Sequence, residues 1–157
     1  MIFVGVDPGS KNGAWAVIAQ SETGRTVKVY PWDDVFFVTD MQALSRMGNG
    51  IVAAVEKVGA MPKQGISSTW HFAENYGYIQ GTLSACGIPY QLVPPRKWKA
   101  EYSLSNDKSK SIDVCHKLFP ELSLRKTDKC RTDDNNLAEA TLLAEYARRH
   151  FGEGGAG

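Results

Sequence analysis

The segment Ile2-Phe-Val-Gly-Val-Asp7-Pro-Gly-Ser10 constrains the fold of this chain more than any other stretch. Ile2, Phe3, Val4 and Val6 form the apolar, β-branched run of a fully buried strand, and Pro8-Gly9-Ser10 stops it. Asp7 stands at the strand's end, where a carboxylate is costly to desolvate unless a cation or hydrogen bonds meet it. Either Asp7 caps the turn through its own backbone, or it holds a metal or a phosphate-bound ion.

The 157 residues, 43% hydrophobic and 22% charged, suit one ordinary globular domain with a substantial core. We expect that domain over residues 1–151 and a flexible glycine-rich tail over 152–157. No apolar run approaches the ~20 residues of a membrane helix, and the first strand begins at Met1 with no leader before it, so a cytoplasmic protein is expected. Cys86, Cys115 and Cys130 are odd in number and widely spaced, which fits reduced thiols. Cys115, His116 and Cys130 lack a fourth ligand for zinc.

The net charge is +1, but it is unevenly spread. Arg96 to Arg131 holds ten basic residues against five acids, leaving the remainder net acidic. Such a patch suggests a polyanion on one face; the alternative is an ordinary solvated surface.

Further along, residues 14–19 and 26–30 read as strands that complete an antiparallel meander with the first. A helix over 41–47 is expected, capped by Thr39 or Asp40, then a second apolar strand over 51–55 that again ends in an acid, Glu56. Ser67 or Ser68 is expected to cap a helix over 69–86. Its Phe72, Tyr76, Ile79 and Leu83 form one stripe, and Ala73, Gly77 and Gly81 a second, small-residue stripe. A strand over 88–93 and helices over 107–118 and 135–151 follow. The order βββ-α-β-α-β-α-α predicts an α/β fold, a mixed five-stranded sheet with helices on its faces.

If the strands ending in Asp7 and Glu56 are parallel neighbours, both acids emerge at one sheet edge, beyond the carboxyl ends where ligands bind in such sheets. Like charges placed together call for a divalent cation, and all-oxygen ligands suit Mg²⁺ or Mn²⁺. Arg131 to Ala140 supplies a third cluster. Glu139 lies among small and apolar residues where a glutamate is either a ligand or a misfit. Asn135 and Asn136 share its face one turn earlier, and Asp133 and Asp134 are either helix caps or ligands.

Val4-Gly-Val-Asp7-Pro-Gly9, Val55-Glu56-Lys-Val58, Met61 to Ser68, Pro95-Arg-Lys-Trp-Lys99 and Ala138-Glu139-Ala-Thr-Leu-Leu-Ala144, taken together and in order, resemble the RuvC-type Holliday-junction resolvases, in particular their phage-like branch. The resemblance implies an RNase H-like fold and a homodimeric endonuclease of DNA recombination and repair. Such an enzyme would cut opposed strands of a four-way junction with two Mg²⁺ (or Mn²⁺) ions. It implies Asp7, Glu56 and Glu139 as catalytic metal ligands. Roughly a turn before the last acid the family usually has Asp or His as a fourth ligand, and here Asn135 and Asn136 occupy those places. Either Asp134 reaches in from the helix start, or the substitution weakens metal binding. A phage origin would put the protein in a bacterial host's cytoplasm.

The implied chemistry is two-metal hydrolysis with Asp7 bridging the ions. Lys108 and Lys110, or Lys126 and Lys129, are candidates to steady the phosphate. Toward DNA, Ser67 and Ser68 can offer hydroxyls and helix N–H groups, with Lys63 and Gln64 beside them. Met61 is a candidate wedge at the strand-exchange point. Arg96, Lys97 and Lys99 surround Trp98, which is either a core anchor or part of a basic-aromatic DNA contact. The small-residue stripe suits either a twofold dimer interface or packing within the monomer.

Three other readings stay open. A branched-DNA binding protein with weakened catalysis would explain Asn135 and Asn136. Another RNase H-like nuclease would act on RNA. The loop Asp7 to Gly13 resembles the phosphate loop of actin-like sugar kinases, but those need a second such domain.

Overall fold

A computed structural model describes residues 1–105, 107 and 109–152. Its elements are β1 (Ile2–Asp7), β2 (Ala14–Ser21), β3 (Gly24–Pro31), α1 (Asp34–Ser45), β4 (Ile51–Glu56), α2 (Ile66–Ala85), β5 (Tyr90–Val93), α3 (Pro95–Glu101), α4 (Ser109–Leu118) and α5 (Asn135–Phe151). The five strands form one mixed sheet in the order β3-β2-β1-β4-β5. The meander β1-β2-β3 is antiparallel, whereas β1 pairs with β4, and β4 with β5, in parallel.

Alternation along β1 sends Ile2, Val4 and Val6 to one face, against Phe37 and Met41 of α1 and Ile79 and Leu83 of α2. Phe3 goes to the other, among Trp98 of α3, Cys115 of α4 and the apolar residues of α5. With helices on both faces the central strand must be apolar throughout, which is the pattern the sequence shows.

Helix α5 spans Asn135–Phe151 as expected, whereas α1 and α2 depart from expectation at their starts. Helix α1 begins seven residues earlier than expected, because Asp33 is the N-cap and accepts from the Phe36 amide. Thr39 instead bonds back to the Val35 and Phe36 carbonyls, and Asp40 accepts from the Trp15 indole. Helix α2 starts at Ile66 with Gly65 at its N-cap, so Ser67 and Ser68 lie in the first turn rather than before it. Helix α3 was not expected and makes the order βββ-α-β-α-β-α-α-α. Pro95 at N1, with φ already set for a helix, starts it.

Of the tail expected over 152–157, only Gly152 is among the described residues, where it caps α5. Among the described residues, no helix is long and apolar enough to cross a membrane.

Candidate active site

The register Val6↔Val55 carries both strands to the same edge and brings Asp7 and Glu56 out side by side. Glu139 reaches them from α5, which lies directly on β1. An added Cβ at Gly5 would stand 2.1 Å from the Ala144 nitrogen and 2.2 Å from the Ala140 oxygen. Only glycine lets the helix backbone approach the strand this closely, and Ala140 and Ala144 keep the helix side equally slim. Asp7, Glu56 and Glu139 each offer an oxygen lying within 4.8 Å of the others, and the residues are only 8%, 9% and 8% exposed.

Burial, then the neighbouring Glu56 and Glu139, holds the Asp7 carboxyl well above the usual range. Burial also raises Glu56; a hydrogen bond from Trp98 opposes it and Glu139 adds to it. Oδ2 of Asp7 is buried and has no hydrogen-bond partner among the described residues. An oxygen-only donor set around an unpartnered buried carboxylate oxygen fits a hard divalent cation such as Mg²⁺ or Mn²⁺.

Two neighbours on α3 were not assigned to this cluster from sequence. Trp98 is fully buried, and its Nε1 donates to Glu56 Oε2 at 2.9 Å. Trp98 is thus the core anchor of its two readings, with a hydrogen bond into the site. Lys99, expected among the DNA contacts, turns inward: its Nζ lies 3.3 Å from Glu139 Oε1 and 5.2 Å from the Trp98 ring centre. Pro95 at a helix start was the available signal. Once a helix begins there, Trp98 and Lys99 are fixed relative to each other.

Asp134 does not join the three acids. It is the N-cap of α5, with Oδ1 accepting from the Asn136 and Leu137 amides and Oδ2 lying 3.3 Å from Lys126 Nζ. Lys126 also donates to Asn12 Oδ1, tying the loop before α5 to the turn after β1. Asp133 pairs with His116 at 2.7 Å. Asn135 and Asn136 line a groove of about 690 Å³ together with Asp7, Glu139, Arg96 and Lys99. Oδ1 of Asn135 is buried without a hydrogen-bond partner among the described residues.

Of the remaining expected DNA contacts, Arg96 and Lys97 are exposed on α3 and Lys110 on the first turn of α4, whereas Lys108 lies outside the described residues. Met61 is 70% exposed. Lys63 sits at φ 66°, in the left-handed region. Gln64 and Ser68 line a second cleft, of about 880 Å³, that reaches Gly9 and Asn12 in the turn after β1; Ser67 is exposed on the same turn as Ser68.

No protein-family profile matches the chain, and no curated protein matches it in sequence. Solved structures do match in fold. Thermus thermophilus RuvC in complex with a Holliday junction substrate is similar at TM-score 0.67 and 15% identity, covering 99% of this chain and 98% of that one. The fowlpox virus Holliday junction resolvase is similar at TM-score 0.58 and 19% identity, covering 96% and 99%. The yeast mitochondrial Holliday junction resolvase Ydc2 follows at TM-score 0.52 and 14% identity, covering 90% and 75%. The chain therefore has the RuvC-type, RNase H-like fold that its motifs resembled.

Proposed function

We propose that this chain is a structure-selective endonuclease that resolves four-way DNA junctions by phosphodiester hydrolysis. The observation that carries the reading is the convergence of Asp7, Glu56 and Glu139 from three separate elements at one buried point. On a fold shared with a protein solved on junction DNA, a buried acid trio is expensive to maintain without a cation to hold. Asp7, Glu56 and Glu139 would hold two Mg²⁺ or Mn²⁺ ions. Bound there, such ions would lower the pKa of a water nucleophile and neutralise charge at the phosphate.

The chain's own residues then hold and align the substrate. Trp98 fixes the rotamer of Glu56 through its indole N–H. Arg96 lines the groove that leads to the acids and offers its guanidinium to the phosphate backbone. Lys97 and Lys110, exposed near it, extend a sequence-independent electrostatic footprint. Amides in the first turn of α2, with Ser67 and Ser68, can bind a further phosphate, while exposed Met61 is free to insert between unstacked bases.

The active unit is a homodimer. Ile66, Trp70, Ala73, Gly77 and Gly81 run along the outward side of α2. Ile66 and Trp70 are 91% and 70% exposed, and an added Cβ at Gly77 or Gly81 would meet no described atom within 4 Å. A stripe that large and that little used within the monomer suits a second copy, and twofold pairing would match two cuts to a twofold junction. The setting would be DNA recombination or repair in a bacterial cytoplasm, as a phage or host protein.

A second reading, a branched-DNA binding protein with weakened cutting, is favoured by Asn135 and Asn136 in the groove where an acid would add a ligand. One assay separates the two: incubation with a synthetic four-way junction and with matched linear duplex, in Mg²⁺, Mn²⁺ or chelator. Paired, metal-dependent nicks in the junction alone are the expected result. Tight binding without nicks favours the second reading, and neither binding nor nicking rejects both.

A further inference from the structure

We propose that Lys99 is the built-in counter-ion of the carboxylate cluster, a monovalent cation that an incoming divalent ion must displace. The inference rests on the metal-binding reading above. It concerns what stands in competition with the metal.

Lys99 is the described basic side chain that reaches one of the three acids, with Nζ 3.3 Å from Glu139 Oε1. Lys126, in the loop before α5, is held instead by Asn12 and Asp134. An oxygen that coordinates Mg²⁺ or Mn²⁺ does so at about 2.1 Å. An ammonium resting 3.3 Å from that same oxygen would then face two positive charges at close range in a half-buried setting, where screening is weak. The repulsion favours the lysine's departure as the ion arrives.

The side chain is suited to leaving. Its head is a point charge on a flexible four-carbon stem, with none of the bidentate geometry that would lock an arginine onto the carboxylate. It is 33% exposed and lines the groove, so it has somewhere to go. The Trp98 ring, 5.2 Å from Nζ, supplies a cation-accepting face beside its path. Displacement turns the ammonium from Glu139 toward the groove, where a DNA phosphate would run. A residue needed only to support the acids predicts the opposite effect on metal affinity, which makes the proposal separable.

The test is a Mn²⁺ titration of the full chain, followed by calorimetry and without DNA, for wild type, Lys99→Gln, Lys99→Arg and Glu139→Gln. With the competing charge removed, Lys99→Gln should bind Mn²⁺ about tenfold more tightly than wild type, the order expected of one nearby charge. Lys99→Arg should not gain affinity, and Glu139→Gln should lose it. As a second readout, amine acetylation followed by mass spectrometry should label Lys99 several-fold faster when Mn²⁺ is present. Lys99→Gln binding equal to or weaker than wild type overturns the proposal alone. Should Lys99→Gln not fold, a wild-type labelling rate unchanged by Mn²⁺ overturns it. Absence of Mn²⁺ binding in wild type and Lys99→Gln alike overturns the metal-binding reading as well.

Discussion

The indole N–H of Trp98 meets Glu56 Oε2 at 2.9 Å inside the core, so a residue of α3 fixes the carboxylate that ends β4. Trp98→Phe keeps most of the packing and removes the donor. It should cost about 1.5–3 kcal/mol of stability, as for a lost hydrogen bond to a charged acceptor. Junction cutting should fall much further than junction binding. A chemical melt paired with cleavage and gel-shift assays checks both. Unchanged cutting would show that Glu56 needs no such support.

Asp7→Asn should abolish cutting while leaving junction affinity within a few-fold, because it alters the oxygen proposed to hold the metal and not the basic surface. Without divalent ions it should also stabilise the fold. A carboxyl raised in the native state contributes its stability at low pH and loses it as pH climbs through its folded value. In chelator at about pH 7, then, Asp7→Asn should melt higher than wild type, by about 1–3 kcal/mol or roughly 2–4 °C per kcal/mol. The gap should narrow toward pH 5. Calorimetric scans at both pH values decide, and a lower melting temperature for Asp7→Asn at pH 7 would contradict the electrostatic account.

Glu145, 1% exposed on α5, makes the opposite case. Burial alone would raise it, but hydrogen bonds from Arg148 and Arg149 prevail and hold its carboxyl below the usual range. A lowered acid stabilises the fold above its unfolded pKa, and that stability is lost as pH falls through the folded value. Glu145→Gln should cost about 2–4 kcal/mol at neutral pH, where it takes the carboxylate from Arg148 and leaves Arg149 to Glu101 alone, and little near pH 3. Urea melts at the two pH values measure the difference.

Trp70→Glu places a charge in the middle of the outward stripe of α2. On the proposed twofold pairing it should leave a folded monomer by sedimentation, and junction cutting should change from paired to single nicks. A wild-type chain that sediments as a monomer even on junction DNA would remove the basis for the paired-cut mechanism.

Much of this architecture was legible in the sequence because it rests on burial. Apolar strands ending in Asp7 and Glu56, and a glutamate among the alanines of α5, can be read without coordinates, and the parallel register then brings the first two together. The starts of helices were harder. Asp33 precedes Val35-Phe-Phe-Val38, a run whose apolar residues gave no clean helical period, so the cap was not recognised. Helix α3 has only seven residues, too few for periodicity to show. Its loss from the reading hid the inward turn of Lys99 and the bond from Trp98. Asp134 was weighed as cap or ligand, a choice that depends on where Oδ1 and Oδ2 point, and spacing alone does not carry that information.

Gly5 has the widest consequence. It is neither acidic nor in the groove, yet the backbone of α5 rests against its Cα hydrogens. A methyl group there would wedge the helix outward and carry Glu139 away from Asp7. In a random-mutagenesis screen for loss of junction cutting, position 5 should therefore score with the three acids. A compensating hit, if one arises, should fall at Ala140 or Ala144 rather than at any charged residue. The geometry of the acids is inherited through a side chain that does not exist.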